Sequence, residues 1–248
     1  EIHMQKGEGK IFYNTRNSEL FNYIIHNCIP KNLLQENDIS LSISSDIPIG
    51  FGLKSSSAVS SAVSLACYGL VDDNLDDLRV LDTAVNASRK AKITITGAYD
   101  DSTACYFGGF VITDNHSNIL IRRENGPVNL LSIILLPTYS ERKNPLRLKI
   151  LAEFFNKAFQ LAEKFDYWNA MKLNGLLVSS VMAYDYSPIL LSLENGALSA
   201  SISGNGPSIA VITEEKNLYT IRNILTKYGK TLVCKINNTK ARVEKIIG

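Results

Sequence analysis

Pro48-Ile49-Gly50-Phe51-Gly52-Leu53-Lys54-Ser55-Ser56-Ser57-Ala58 is the stretch on which the reading of this chain turns. Its glycines let backbone amides approach an anion with no side chain in the way, and its three serines offer hydroxyl donors. The run then opens a helix, whose first N–H groups lack intrahelical acceptors and carry the positive end of the dipole. The chemistry expected of Pro48–Ala58 is that of a phosphate cradle, with Lys54 placed to add a cation. A tight turn into a serine-capped helix has the same composition, so the loop decides the matter only together with its surroundings. It is not a Walker loop, because that pattern ending at Lys54-Ser55 needs glycines where Pro48 and Leu53 stand. The dinucleotide pattern starting at Gly50 fails at Ser55.

Upstream of the loop, Ile39, Leu41 and Ile43 alternate with Ser40, Ser42 and Ser44, which predicts a strand with one wet face. Before that, Leu20, Tyr23, Ile24 and Cys28 recur at helical spacing after a cap at Asn17 or Ser18, and Pro30 closes the helix. Downstream, Ser55–Leu70 reads as a helix packed on more than one side, and Leu75–Ala91 as a second helix with Asp76 and Asp77 at its start. Ile93–Gly97 reads as a short strand or turn, and Phe107–Ile112 as a strand entered through Gly108-Gly109. Between them, Asp100-Asp101 is read on a turning or extended backbone, where neighbouring side chains point apart. One carboxylate would then react while the other orients it or structures the turn.

The chain changes character at Gly126-Pro127, which marks an expected boundary between domains 1–127 and 128–248. In the second half, Leu130–Leu136 reads as a strand, Leu146–Lys164 and Trp168–Ala183 as helices, and Ala197–Ser203 and Ser208–Thr213 as strands around Gly204-Asn205-Gly206-Pro207. A helix over Asn217–Tyr228 and a strand over Thr231–Ile236 complete it. The pattern is α+β, with antiparallel strands and helices in two layers, twice over.

Composition narrows the function classes. With 45% apolar and 20% charged residues in 248, the chain folds around a core rather than remaining disordered. A net charge of +2 with dispersed basic residues gives no phosphate-tracking field, so nucleic acid is not an expected partner. The apolar runs are too short or too interrupted to cross a bilayer, and no charged-then-apolar leader opens the sequence, so no membrane association and a cytoplasmic location are expected. Cys28, Cys67, Cys105 and Cys234 lack metal or redox spacing and are read as buried, reduced thiols. The basic residues Lys235, Lys240, Arg242 and Lys245 are read as a solvated tail.

Three motifs in order carry a resemblance. Pro48–Ala58 resembles the second signature of the GHMP kinase superfamily, with Lys54 in place of the usual central glycine, as in the archaeal shikimate kinase branch. The run from Thr96 through Asp100-Asp101 to Gly108-Gly109 is similar to that branch's Thr-Gly-Ala-aromatic-Asp-Asp run, and Ser203-Gly204-Asn205-Gly206-Pro207-Ser208 resembles the third, C-terminal glycine motif. The resemblance implies a two-domain GHMP kinase fold, an S5 domain 2-like N-terminal domain followed by a ferredoxin-like C-terminal domain. It implies ATP and Mg2+ as cofactors and transfer of the γ-phosphate to the 3-hydroxyl of shikimate. Homoserine- or mevalonate-type phosphorylation and a catalytically silent nucleotide-binding relative are the alternatives.

The resemblance also implies roles. Asp101, seven residues before Gly108, takes the place of the general base, with Asp100 beside it as an orienting or substrate-binding partner. Pro48, Ile49, Gly50, Phe51, Gly52, Leu53, Lys54, Ser55, Ser56, Ser57 and Ala58 form the nucleotide loop, with Ser56 beside the metal. Ser203, Gly204 and Gly206 support that loop. Arg142 and Lys143 are the basic residues expected to clamp a substrate carboxylate. Two features depart from the family: Lys90 stands where related chains place an acidic residue, and no glycine-rich segment precedes the first helix.

Overall fold

The computed structural model describes residues 1–15, 18–94, 97–138 and 143–244. The chain forms two compact units, one from Glu1–Ile47, Lys54–Asn125 and the segment after Asn237, the other from Pro48–Leu53 and Gly126–Asn237. The main crossing falls at Asn125–Gly126, and two segments lie on the other side of a simple cut at residue 127: the loop Pro48–Leu53 and the segment after Asn237.

In the first unit, β1 (Ile2–Lys6) pairs antiparallel and β2 (Ile11–Tyr13) pairs parallel with a central β3 (Asn37–Leu41). The alternation predicted for β3 holds through Ile39 and Leu41, which are buried, whereas Ile43 lies beyond the strand. Between the strands run α1 (Ser18–Cys28) and α2 (Lys31–Glu36), so Pro30 ends one helix and caps the next. The proposed cap Asn17 lies outside the described residues.

After the loop come α3 (Ser55–Gly69), α4 (Asp77–Lys90) and α5 (Tyr99–Phe107), then a hairpin of β4 (Phe110–Asp114) and β5 (Ile119–Glu124). Asp76 caps α4, its carboxylate accepting from the amides of Leu78 and Arg79 at 3.0 and 3.4 Å. The small, serine-rich face of α3 lets α1, α4 and α5 pack closely around it. Of its buried hydroxyls, Ser60 Oγ donates within the helix to Ser57 O at 3.2 Å and Ser64 Oγ donates to Val80 O of α4 at 2.8 Å, while Ser61 Oγ has no partner among the described residues. Phe21, Ile24, Leu81, Tyr99 and Tyr106 fill the core.

Two expectations change here. The segment read as turning or extended around Asp100-Asp101 is the first turn of α5, and Phe107 ends that helix instead of opening a strand. Ile93 and Thr94 form no strand, and Ile95 and Thr96 lie outside the described residues.

In the second unit, β6 (Leu130–Pro137) is followed by a 3-10 stretch (Pro145–Leu151), α6 (Ala152–Glu163), α7 (Tyr167–Met182) and α8 (Ser187–Glu194). Then come β7 (Ser199–Ile202), β8 (Ile209–Glu214), α9 (Glu215–Leu225) and β9 (Gly229–Lys235). The sheet order β7-β8-β6-β9, antiparallel throughout, is that of a split βαβ, ferredoxin-like sheet, as expected. The helix predicted over Leu146–Lys164 is divided into the 3-10 stretch and α6. Ile133, Leu135, Val178, Met182, Ile189 and Val211 form the core.

Cys28 and Cys67 are buried as expected, but Cys105 and Cys234 are exposed; all four are free thiols. Among the described residues no helix is long and apolar enough to cross a membrane.

Candidate active site

In the first unit the site is built on two helix starts. Lys54 is the N-cap of α3 in the left-handed conformation (φ 63°), a position that places no side-chain oxygen over the first turn. The first bonded amide of the helix is that of Ala58, which donates to Lys54 O at 3.0 Å. Among the described residues the amides of Ser55, Ser56 and Ser57 have no acceptor. Bare donors at the positive end of a 15-residue helix form a site for an anion.

Facing this helix start is α5, which also begins from a left-handed residue, Ala98 (φ 53°), with no side-chain cap. The two adjacent carboxylates in its first turn are turned apart, since neighbours on a helix differ by about 100° around its axis. Asp100 is exposed and engaged with Asn115: its amide donates to Asn115 Oδ1 at 2.9 Å, and Asn115 Nδ2 donates to its carboxylate at 2.7 Å. Asp100 therefore ties α5 to the β4–β5 turn.

Asp101 goes the other way. Its Oδ2 lies 2.8 Å from Lys54 Nζ, with the carboxylate 17% and the lysine side chain 26% exposed. Burial, helped by the charge of Asp100, pushes the Asp101 carboxyl up to about 6 against the opposing pull of Lys54. A carboxylate with raised proton affinity, ionised at neutral pH and held by an ammonium group, is equipped to accept a proton.

In the second unit the loop Pro48–Leu53 is fastened to the C-terminal glycine motif. Ser203 Oγ donates to Gly52 O at 3.0 Å, and the amide of Ser208 donates to Phe51 O at 3.1 Å. The motif holds its own bend, with Ser203 N donating to Ser208 O at 2.8 Å and Gly206 N donating to Ser203 O at 2.9 Å. Gly52 (φ 76°) lies so close to this bend that a methyl group there would stand 2.3 Å from Gly206 O. Gly50 (φ 88°) is different, because nothing lies within 4 Å of where its Cβ would be. The loop is thus anchored at Gly52 and open at Gly50, the geometry a cradle needs. Ile49, at 85% exposed, stands out from it.

Asn115 in the first unit and Tyr184 in the second each bond a candidate site residue of their own unit, with no signal in the sequence. Tyr184 lies past the left-handed end of α7, and its hydroxyl donates to Asn205 O at 3.0 Å. Burial raises its phenol, and a backbone bond and the charge of Lys143 pull it back. Lys143 therefore stands beside the glycine motif, whereas Arg142 lies outside the described residues, as does Thr96 of the second motif. Gly204 (φ 56°) makes the bend between β7 and β8.

In the first unit the bare amides of α3 can receive a phosphate group, and in the second Gly50 leaves open space over its backbone. Among the described residues no cluster of three or more His, Cys, Asp or Glu makes a dedicated cage for a metal ion, and Ser56, at the start of α3, carries a neutral hydroxyl.

Comparison with known proteins agrees with this chemistry. Residues 22–109 match the family model of the GHMP kinase N-terminal domain. The chain is similar to the shikimate kinase of Methanobrevibacter smithii, at 35% identity over 78% of this chain and 70% of that protein. The shikimate kinase of Pyrococcus furiosus is 37% identical over 79% of this chain and 71% of the relative. Among solved structures, the homoserine kinase of Cytophaga hutchinsonii superposes with a TM-score of 0.71 at 20% identity, covering 96% of this chain and 85% of that one, a likeness of fold.

Proposed function

The chain belongs to the archaeal-type shikimate kinases of the GHMP kinase superfamily, and we propose that it transfers the γ-phosphate of ATP to the 3-hydroxyl of shikimate in the cytoplasm. The observation that carries this reading is the Lys54–Asp101 pair at the bare start of α3. A phosphate group and a proton acceptor are then served by one small group of residues.

Asp101 accepts the proton of the attacking hydroxyl at its carboxylate. Little activation of that oxygen is needed when the transition state is loose, so a carboxylate with an affinity near 6 suffices. Lys54 holds Asp101 in place and offers its charge to the phosphoryl oxygens as the proton moves. The amides of Ser55 to Ser57 and the backbone of Pro48–Leu53 bind the phosphate chain, the loop kept in shape by Ser203, Gly204 and Gly206. Mg2+, when bound, neutralises charge on the β- and γ-phosphates, and Ser56 would hold it together with those phosphates. Shikimate's carboxylate needs a cation, and Lys143 beside Tyr184, with Arg142, is assigned to it. Asp100 supports α5 through Asn115 rather than touching substrate.

The test is an ADP-release assay on the purified chain with ATP, Mg2+ and shikimate, homoserine or mevalonate in turn. Turnover with shikimate alone is expected. Turnover only with one of the other alcohols overturns the acceptor, and none with any of them overturns the kinase reading.

A further inference from the structure

Residues 238–244 follow β9 in the first unit and form neither helix nor strand; of the basic residues read as a solvated tail, Lys240 is paired, Arg242 is exposed, and Lys245 lies outside the described residues. The amide of Ala241 donates to Tyr106 O at 2.7 Å. Lys240 Nζ lies 2.9 Å from both carboxylate oxygens of Asp77, and the Tyr106 hydroxyl donates to the same Asp77 Oδ1 at 2.8 Å. Ala241 and Val243 pack on the core of this unit, and a methyl group at Gly69 would stand 2.8 Å from Val243 Cγ2.

These contacts converge on the far end of α5. A helix leaves its last carbonyls without partners, and in a helix of nine residues the last turn is nearly half of the whole. So short a helix holds its shape only through what grips it from outside. Ala241 takes the Tyr106 carbonyl. Arg123 takes the Phe107 carbonyl at 3.2 Å, with its guanidinium 4.7 Å above the Phe107 ring. The Tyr106 ring, 1% exposed, anchors the same turn in the core. Asp77, in the first turn of α4, joins α5 to the strap through one carboxylate. Asp101 rides on the other end of this helix.

We infer that Lys240, Asp77 and the backbone of Ala241 are positioning residues that clamp the C-terminal end of α5 and so fix the placement of Asp101. The inference rests on the reading of Asp101 as the base, and its test includes a measurement that needs no substrate. A half-exposed ion pair alone contributes little. The clamp works because a backbone bond and apolar packing act on the same turn.

Two variants of the full chain separate these parts. Lys240→Met removes the ion pair, and Ala241→Pro removes the amide donor while fixing φ at that position and restricting the backbone of Lys240. In each, amide exchange over residues 102–108 should quicken about tenfold while α9 stays at its native rate. The kcat for shikimate should fall about tenfold with KM for ATP within about twofold. Lys240→Arg should restore both, and Arg242→Met, which loses only its local bond to Glu244, should change neither. Native exchange in α5 of both variants overturns the inference, as does faster exchange with unchanged kcat. A native chain that fails to phosphorylate shikimate overturns the functional reading instead, and α5 exchange still decides the clamp.

Discussion

Lys54 Nζ lies 2.8 Å from Asp101 Oδ2, although 46 positions separate the two in sequence and each sits at the start of a different helix. The pair joins the anion-binding end of α3 to the proton acceptor of α5. Neither partner is fully buried and neither is freely solvated, so each is sensitive to the other and to charge arriving from a ligand.

Asp101→Asn removes the proton acceptor and keeps the shape. Turnover with ATP and shikimate should fall by about 10²–10⁴-fold, with nucleotide affinity, read by calorimetry, nearly unchanged. Native turnover in this variant would remove Asp101 from the base role.

The pH dependence of kcat/KM should rise on a limb with an apparent pKa near 6, the affinity that burial gives Asp101. In Lys54→Met the limb should move to higher pH, because Lys54 is the group that pulls this carboxyl down. A limb that stays in place would show that another group titrates.

The same shift has a sign for folding. The Asp101 affinity is raised in the native state, so the native chain binds more protons than the unfolded one between about pH 4 and pH 6, and this carboxyl's contribution is lost as pH rises through that window. Asp101→Asn does not titrate. Its stability relative to the native chain should therefore improve by on the order of 2–3 kcal/mol from pH 4 to pH 7, measured by urea unfolding. A constant difference across that range would contradict the assignment.

Gly52 and Gly50 should respond differently to alanine. At Gly52 the new methyl meets the backbone of Gly206 at 2.3 Å, so the loop must move, at a cost of about 2–4 kcal/mol. At Gly50 there is open space and only the left-handed backbone resists, for about 1–2 kcal/mol. Thermal unfolding should rank the two in that order, while ATP binding should weaken in both.

Asp100→Asn should keep turnover within about threefold, because an amide can still bond Asn115. A loss comparable to that of Asp101→Asn would give Asp100 a direct part in the reaction.

Much of this was legible in the sequence because the signals were local. The alternation of Ile39 and Leu41, the small-residue run of α3 and the acidic cap of α4 each report on a few neighbouring residues, and each formed the element expected. β5 carries little signal in the sequence because Arg122, Arg123 and Glu124 fill the second half of a half-exposed strand. α5 was missed although both its boundaries were marked, by two acidic residues in its first turn and Gly108 after its last. For the site, the helix sets Asp100 and Asp101 about 100° apart around one axis instead of on opposite faces of an extended segment. The partners Asn115, Tyr184 and Lys240 were not legible at all, because each acts across a distance that only the folded chain brings to zero.

The left-handed backbone of Lys54, at φ 63°, has a consequence beyond geometry. A glycine would occupy that conformation without strain, and a lysine there costs the fold about 1–2 kcal/mol. Burying the Asp101 charge works against the fold in the same neighbourhood. The fold is therefore least at ease where its chemistry is concentrated, and Lys54→Gly should relieve the backbone, leave the Asp101 charge without its partner and give a poorer catalyst. Screening for thermostability alone would select against this kinase's own working parts.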